Sequence, residues 1–235
     1  MHRHTRARYS DAGNSDKARS WLTDGVTFLW FHLLPIRAPV VRRLAQLLPG
    51  LVVFGVGLGV SIEADLGTNP WTVFHTGASD RLGISVGTMV IITGLAILLL
   101  FIPFREPLGL GTVLNVAVIG PIVDLTLAIV PDLTTVPARL VALGIAPILI
   151  GLASGLYIGG GLGPGPRDGL MTALERRGAK VSVARTIVEL SALAIGALLG
   201  GAVGFGTIYM ALTVGIWVQF FLRRLRIDPP ASTAG

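Results

Sequence analysis

The chain contains no cysteine, which excludes disulfides, thiolate metal sites and cysteine nucleophiles, and leaves the redox compartment open. Charge is scarce as well: only 14% of the residues are Asp, Glu, Lys or Arg, too few to clothe a water-facing surface. Aromatic residues are sparse at 7%. What fills the chain is apolar, with 52% hydrophobic residues and a mean hydropathy of +0.73 over 235 residues. A spanning helix takes about 20 apolar residues, so six spans would use about 120 and leave room for short loops but not for a soluble domain. The composition therefore points to an all-α, polytopic membrane protein whose main surroundings are the lipid bilayer.

The net charge of +6 and pI near 10.7 invite a nucleic-acid reading. In so apolar a chain, Lys and Arg are better understood as topology determinants at span ends, and no nucleic-acid partner is expected. Residues 1–43 comprise a polar, basic tail without the apolar core and small-residue cleavage site of a signal peptide, followed by Trp21 to Leu34. That stretch is apolar but short, and holds Asp24 and His32, which suits an interfacial helix better than a span. Apolar stretches follow at 44–62, 84–104, 108–130, 138–158, 182–202 and 205–223, and 224–235 closes the chain as a second cytoplasmic tail. With the N-terminus inside, 17 Lys and Arg lie on the inner side and only Arg81 and Arg139 on the outer. This bias predicts a multi-pass protein of the inner (plasma) membrane with both termini cytoplasmic.

The sequence repeats itself. Leu66-Gly-Thr-Asn-Pro70 aligns with Leu162-Gly-Pro-Gly-Pro166 at an offset of 96. Upstream, Gly55, Gly59 and Ile62 meet Gly151, Gly155 and Ile158; downstream, Ser85-Val86 meets Ser182-Val183, Gly109-Leu-Gly-Thr112 meets Gly204-Phe-Gly-Thr207, and Gly120 meets Gly215. The two copies, 44–130 and 138–223, each carry three spans. An odd number of crossings forces the second copy to enter from the opposite face, so the prediction is a pair of inverted repeats, a recurrent transporter design.

After its first span each copy has a loop and a segment too short to cross. In the first, Asn69 before Pro70 reads as a helix N-cap and first helical position. In the second, the glycine-rich run ending at Gly163, Gly165 and Pro166 leads into Arg167 and Asp168, the latter in the first turn where a carboxylate suits the helix dipole. Non-helical backbone at membrane depth survives only inside protein or beside a watery cavity. Free N–H groups at such helix starts favour an anion, and Arg167 adds a full charge with a fork for carboxylate or phosphate. Asn69, Trp71, Gly163, Gly165, Arg167 and Asp168 are therefore the candidate solute-binding residues. The alternative is a pair of interfacial loops with surface helices, which the charges Glu63 and Asp65 favour for the first copy. Ser79 and Glu175 are expected near the solvent ends of the two short helices.

Arg185 and Glu189 are spaced i, i+4 and form a candidate ion-coupling or structural pair. Asp124 and Gln219 occupy matching positions in the two third spans, where they suit either ion coupling or helix–helix hydrogen bonding. No enzyme, cofactor or metal site is expected: Gly161-x-Gly163-x-Gly165 is interrupted by prolines, and His75 and Ser154 fall near opposite faces.

The run Ser61-Ile-x-Ala-Asp65-Leu-Gly with Trp71, Arg81-x-Gly-Ile-Ser-Val-Gly-Thr88, Gly163-Pro-Gly-Pro-Arg-Asp-Gly-Leu-Met171, Arg185-Thr-x-x-Glu189 and Leu199-Gly-Gly-x-Val-Gly-Phe-Gly-Thr207 resembles the YczE/YyaS/YitT group of bacterial integral membrane proteins over about 44–223. The resemblance implies a bacterial inner-membrane protein and supplies a class, not an activity. Two functions fit the residues. One is a small secondary transporter or permeation protein for a small anionic or zwitterionic solute bound between the repeats. The other is a non-transporting scaffold or assembly factor for a partner complex, whose small-residue helix faces would also suit a homo-oligomer.

Overall fold

A computed structural model describes residues 40–104, 106, 108–178 and 180–227. The expected interfacial segment Trp21 to Leu34, most of the N-terminal tail and residues 228–235 lie outside the described residues. Among those described, the chain forms eight helices and no strand: α1 (Val40–Glu63), α2 (Pro70–Leu82), α3 (Val86–Phe104), α4 (Leu110–Ile129), α5 (Val136–Gly159), α6 (Pro166–Arg176), α7 (Val181–Leu198) and α8 (Phe205–Leu225). Five of them, α1, α3, α4, α5 and α8, are long and apolar enough to cross a membrane. The sixth expected span is α7, an 18-residue helix that carries Arg185 and Glu189.

Glycine faces decide which helices meet. A Cβ at Gly55 would lie 2.6 Å from Ile122, and one at Gly59 would lie 2.6 Å from Thr126, so α1 lies close along α4 in parallel. Gly151 and Gly155 bring α5 equally close to α8, at Trp217 and Phe221. These are the positions that the sequence alignment of the two halves pairs with Gly55, Gly59, Ile122 and Thr126. α1 and α5 themselves run antiparallel, with Gly50 against Tyr157 and Gly57 against Ile150. Lipid chains are as apolar as Leu, so close van der Waals packing at small residues, rather than release from water, holds such helices together. Around these crossings Leu47, Leu51, Val123, Ala146 and Met210 are fully buried.

Polar contacts tie the helix ends. The start of α1 meets the ends of α5 and α8: Arg43 Nη1 donates to Gly160 O at 2.8 Å and Gln46 Nε2 to Leu225 O at 2.6 Å. Near the opposite end of α1, Asp65 pairs with Arg139 at 3.2 Å, beside the start of α5. Asp65 is 61% exposed there, so the pair adds little stability.

The two loops each dock on the start of a helix from the other half. Gly206 N–H donates to Leu66 O at 2.7 Å, and Gly111 N–H donates to Leu162 O at 2.8 Å. Gly67 at φ +91° and Gly163 at φ +119° adopt the left-handed backbone these turns need. A side chain at either would also strike the glycine backbone opposite, at Gly204 or Gly109.

One packing is not matched. α3 lies against α4, where Asp124 Oδ1 accepts from Gly87 N–H at 2.7 Å and Oδ2 accepts from Ser85 Oγ at 2.6 Å. Its counterpart α7 packs on α2 and α6 but not along α8. Ala184 stands where the first copy has Gly87, and a Cβ at Gly215 would meet nothing within 4 Å.

Candidate functional site

The starts of the two short helices open on one cavity of about 90 Å³. The local sequence places them there as expected. Asn69 caps α2, its Oδ1 accepting from Thr72 N–H at 3.2 Å and its Nδ2 donating to Thr72 Oγ1 at 2.8 Å, and Pro70 takes a first-turn position. Pro166 does the same for α6. Gly165 immediately before it is closely packed, since a Cβ there would lie 3.1 Å from Asn115 Nδ2 and 3.3 Å from the Tyr157 hydroxyl, so these side chains would have to give way.

Of the six candidate solute-binding residues, Asn69, Trp71, Gly165, Arg167 and Asp168 line the cavity. Gly163 does not. It sits against Gly109 and Thr112, while Thr112 Oγ1 donates to Pro164 O at 2.6 Å, so Gly163 closes the loop that aims α6. Asp168 Oδ2 accepts from the buried Tyr157 hydroxyl at 2.7 Å, and its Oδ1 lies 4.0 Å from Arg167 Nε. Arg167 and Asp168 keep 30% and 31% of their side chains exposed, enough for both to face a solute.

Three lining residues were not singled out as ligands. His75 is one turn beyond Trp71 on α2, with ring centroids 6.3 Å apart. It is 8% exposed, and among the described residues neither of its ring nitrogens has a hydrogen-bond partner. The indole N–H of Trp71 is buried without a partner too. A buried polar group left unmade costs about 1–3 kcal/mol, so these donors mark a place where something else supplies the acceptor. Tyr157 and Asn115 add to the polar lining, beside Thr72 and Thr93, and their signals were a tyrosine one loop away from Asp168 and a lone amide in an apolar span. The apolar lining comes from the long helices, with Phe54 and Leu58 on α1, Ile97 on α3 and Ile119 on α4.

The remaining candidates lie elsewhere. Arg185 Nε and Glu189 Oε1 pair at 3.1 Å as their spacing predicts, on an open face with side chains 53% and 29% exposed. Asp124 caps the start of α3, whereas Gln219 is exposed on α8, which packs on α5 instead. Ser79, expected at a solvent end, is buried and donates to Thr76 O. Asp80 and Arg81 occupy the exposed end of α2 in its place.

Comparison with known proteins gives the class. A Haemophilus influenzae protein described as an uncharacterized protein is 36% identical over 182 residues, 77% of this chain and 84% of its own length. The uncharacterized membrane protein YczE of Bacillus subtilis is 34% identical over 190 residues, covering 80% of this chain and 88% of its own. The uncharacterized protein YyaS of the same organism is 26% identical over 180 residues, 74% of this chain and 89% of its own. No solved structure matches. A family model described as a family of unknown function, DUF6198, matches residues 41–223. The chain is a membrane protein with several apolar helices, and it belongs to the family DUF6198.

Proposed function

We propose that the protein is a small secondary transporter or permeation protein of the bacterial inner membrane, binding a small anionic or zwitterionic solute between two inverted repeats. In this reading six helices cross the bilayer, both termini are cytoplasmic, and α2 and α6 are half-helices reaching the centre from opposite faces. One observation carries it: the starts of two short helices, one from each half of the chain, open on the same cavity beside Arg167 and the unpartnered N–H groups of Trp71 and His75. Helix starts aimed at a midplane solute are what inverted-repeat transporters use. The repeat itself is supported by matching contacts, Gly55–Ile122 with Gly151–Trp217, and Leu66–Gly206 with Leu162–Gly111.

The mismatch between halves fits a transport cycle. With α3 packed on α4 and α7 standing off α8, the opposite-facing state would exchange the two arrangements, closing α7 on α8 and releasing α3. The chain's own residues do the rest, binding and orienting the solute without covalent chemistry. A scaffold reading draws on the same open face, where Gly215, Gln219 and Arg185 are exposed and could receive a partner helix. Metabolite comparison between cells lacking and overproducing the protein, followed by uptake of the changed compounds into proteoliposomes, separates the two. Transport predicts saturable uptake whose apparent affinity falls in Arg167→Gln. Uptake no faster than in empty vesicles would favour the scaffold.

A further inference from the structure

The cavity's charge and lining narrow the solute further, an inference that rests on the solute-site reading above. Among the described residues, Arg167 is the one full cation lining it and Asp168 the one carboxylate, 4.0 Å away. Their charges largely cancel. What remains is the positive end of two helices, each equivalent to roughly half an elementary charge, or about one positive charge in total. That sum suits a monoanion. A phosphate or sulfate dianion would be left with a charge unmet in a poorly hydrated site.

The hydrogen-bonding groups select in the same direction. His75 carries an N–H in either neutral tautomer, and with the Trp71 indole N–H it offers donors that no group among the described residues accepts. An ammonium group would need acceptors instead, and the nearest of these already serve other donors with part of their capacity. Asp168 Oδ2 takes the Tyr157 hydroxyl, its Oδ1 faces Arg167, and Asn69 Oδ1 takes Thr72 N–H. A carboxylate therefore meets free donors where an ammonium would meet shared acceptors.

The rest of the wall is hydrocarbon. Phe54, Leu58, Ile97 and Ile119, from three long helices, contribute apolar side chains. They would lie idle against a small inorganic anion. At about 10–15 Å³ for each water-sized position, a cavity of about 90 Å³ holds roughly six to nine heavy atoms.

We propose that the cavity takes a small monocarboxylate with an apolar body, its carboxylate held by Arg167, Trp71, His75 and the starts of α2 and α6, its hydrocarbon against Phe54, Leu58, Ile97 and Ile119. The test is thermal unfolding of the purified full-length protein in detergent, titrated separately with isovalerate, benzoate, isovaleramide, phosphate, sulfate and leucine. Isovalerate and benzoate should raise the melting temperature saturably, and the other four should not at matched concentration and ionic strength. In Arg167→Gln the apparent affinity for isovalerate should fall by about tenfold, the scale of one charge-assisted hydrogen bond. Trp71→Phe should weaken it several-fold while leaving the ligand-free melting temperature near that of the parent, which keeps the test valid should Arg167→Gln fail to fold. Stabilisation by phosphate or sulfate at lower concentration than isovalerate would overturn the monocarboxylate while sparing the anion site. Equal stabilisation by isovaleramide would remove the role of charge, and tighter binding of leucine would restore the zwitterion. No response to any of the six would overturn this inference and the solute site together.

Discussion

Gly120 and Gly215 hold matching positions in the two halves, yet the same substitution should act on them with opposite sign. At Gly120 a methyl group would lie 2.5 Å from Gly87 O and 2.7 Å from Ile91 Cγ1. The first of these is backbone, so α3 and α4 must separate. Overpacking of this kind costs about 1–3 kcal/mol, and separation also loosens the bonds from Gly87 N–H and Ser85 Oγ to Asp124, where a hydrogen bond to a charged group contributes about 1.5–3 kcal/mol. Replacing a helical glycine by alanine returns about 1 kcal/mol. The net for Gly120→Ala is a loss of about 0–2 kcal/mol if the Asp124 bonds survive and about 1.5–5 kcal/mol if one of them is lost. At Gly215 nothing lies within 4 Å of the new methyl, so the gain of up to about 1 kcal/mol stands alone. For a domain of this size 1 kcal/mol corresponds to about 2–4 °C in melting temperature. Thermal unfolding in a mild detergent should show Gly120→Ala melting several degrees below the parent and Gly215→Ala at or slightly above it. Equal shifts for the two would mean that α7 packs on α8 as α3 packs on α4, and would refute the asymmetry on which the proposed exchange of packings depends.

Three further outcomes follow from the same contacts. Tyr157→Phe removes the hydroxyl from Asp168 and should lower stability by about 1–2 kcal/mol, the charged hydrogen bond being discounted for the partial exposure of Asp168, and weaken solute binding as Asp168 turns toward Arg167; an unchanged melting temperature with unchanged affinity would contradict it. Glu189→Gln should cost no more than about 0.5 kcal/mol, because the Arg185 pair is exposed and i, i+4 pairs of this kind contribute only that much; a loss several times larger would show the pair buried against something. A Cβ at Gly94 lies 3.4 Å from Val116 Cβ, close to disulfide range, so Gly94→Cys with Val116→Cys should cross-link readily. Its counterpart, Ser191→Cys with Ala211→Cys, joins two exposed positions and should cross-link slowly, only as α7 closes on α8. Failure of the second pair to link under transport conditions would count against the exchange.

The helices were legible because apolar run length and proline position are local. So was the start of α2, since Asn69-Pro70 carries both its cap and its first turn. Five of the six candidate residues line one cavity, each of them at or beside the start of a short helix. Tyr157 was not legible. It precedes Asp168 by 11 residues, and they meet only because the loop turns back through Gly161 and Gly163 at positive φ. His75 had a signal, its place one turn after Trp71, but periodicity alone does not say which face of a short helix looks into a cavity. Gly163, a candidate for solute binding, lies off the cavity: glycine-rich loops serve two ends, approach to a ligand and approach to another backbone, and here Gly163 approaches Gly109. The standing apart of α7 from α8 was not legible either: Ala184 stands where the first copy has Gly87, but which helices meet appears only once all of them are in place.

The central claim is that the two halves are inverted, so that α2 and α6 approach one cavity from opposite sides of the membrane. The absence of cysteine provides the background for a direct test. Asp80 and Glu175 are exposed near the far ends of α2 and α6. Single variants Asp80→Cys and Glu175→Cys, each in intact cells, are exposed to a membrane-impermeant maleimide before and after permeabilisation. Inverted repeats with cytoplasmic termini predict that the cysteine at position 80 is labelled from outside, and that the one at position 175 is labelled only once the cells are opened. Labelling of both from the same face would place the two short helices on one side and contradict the account.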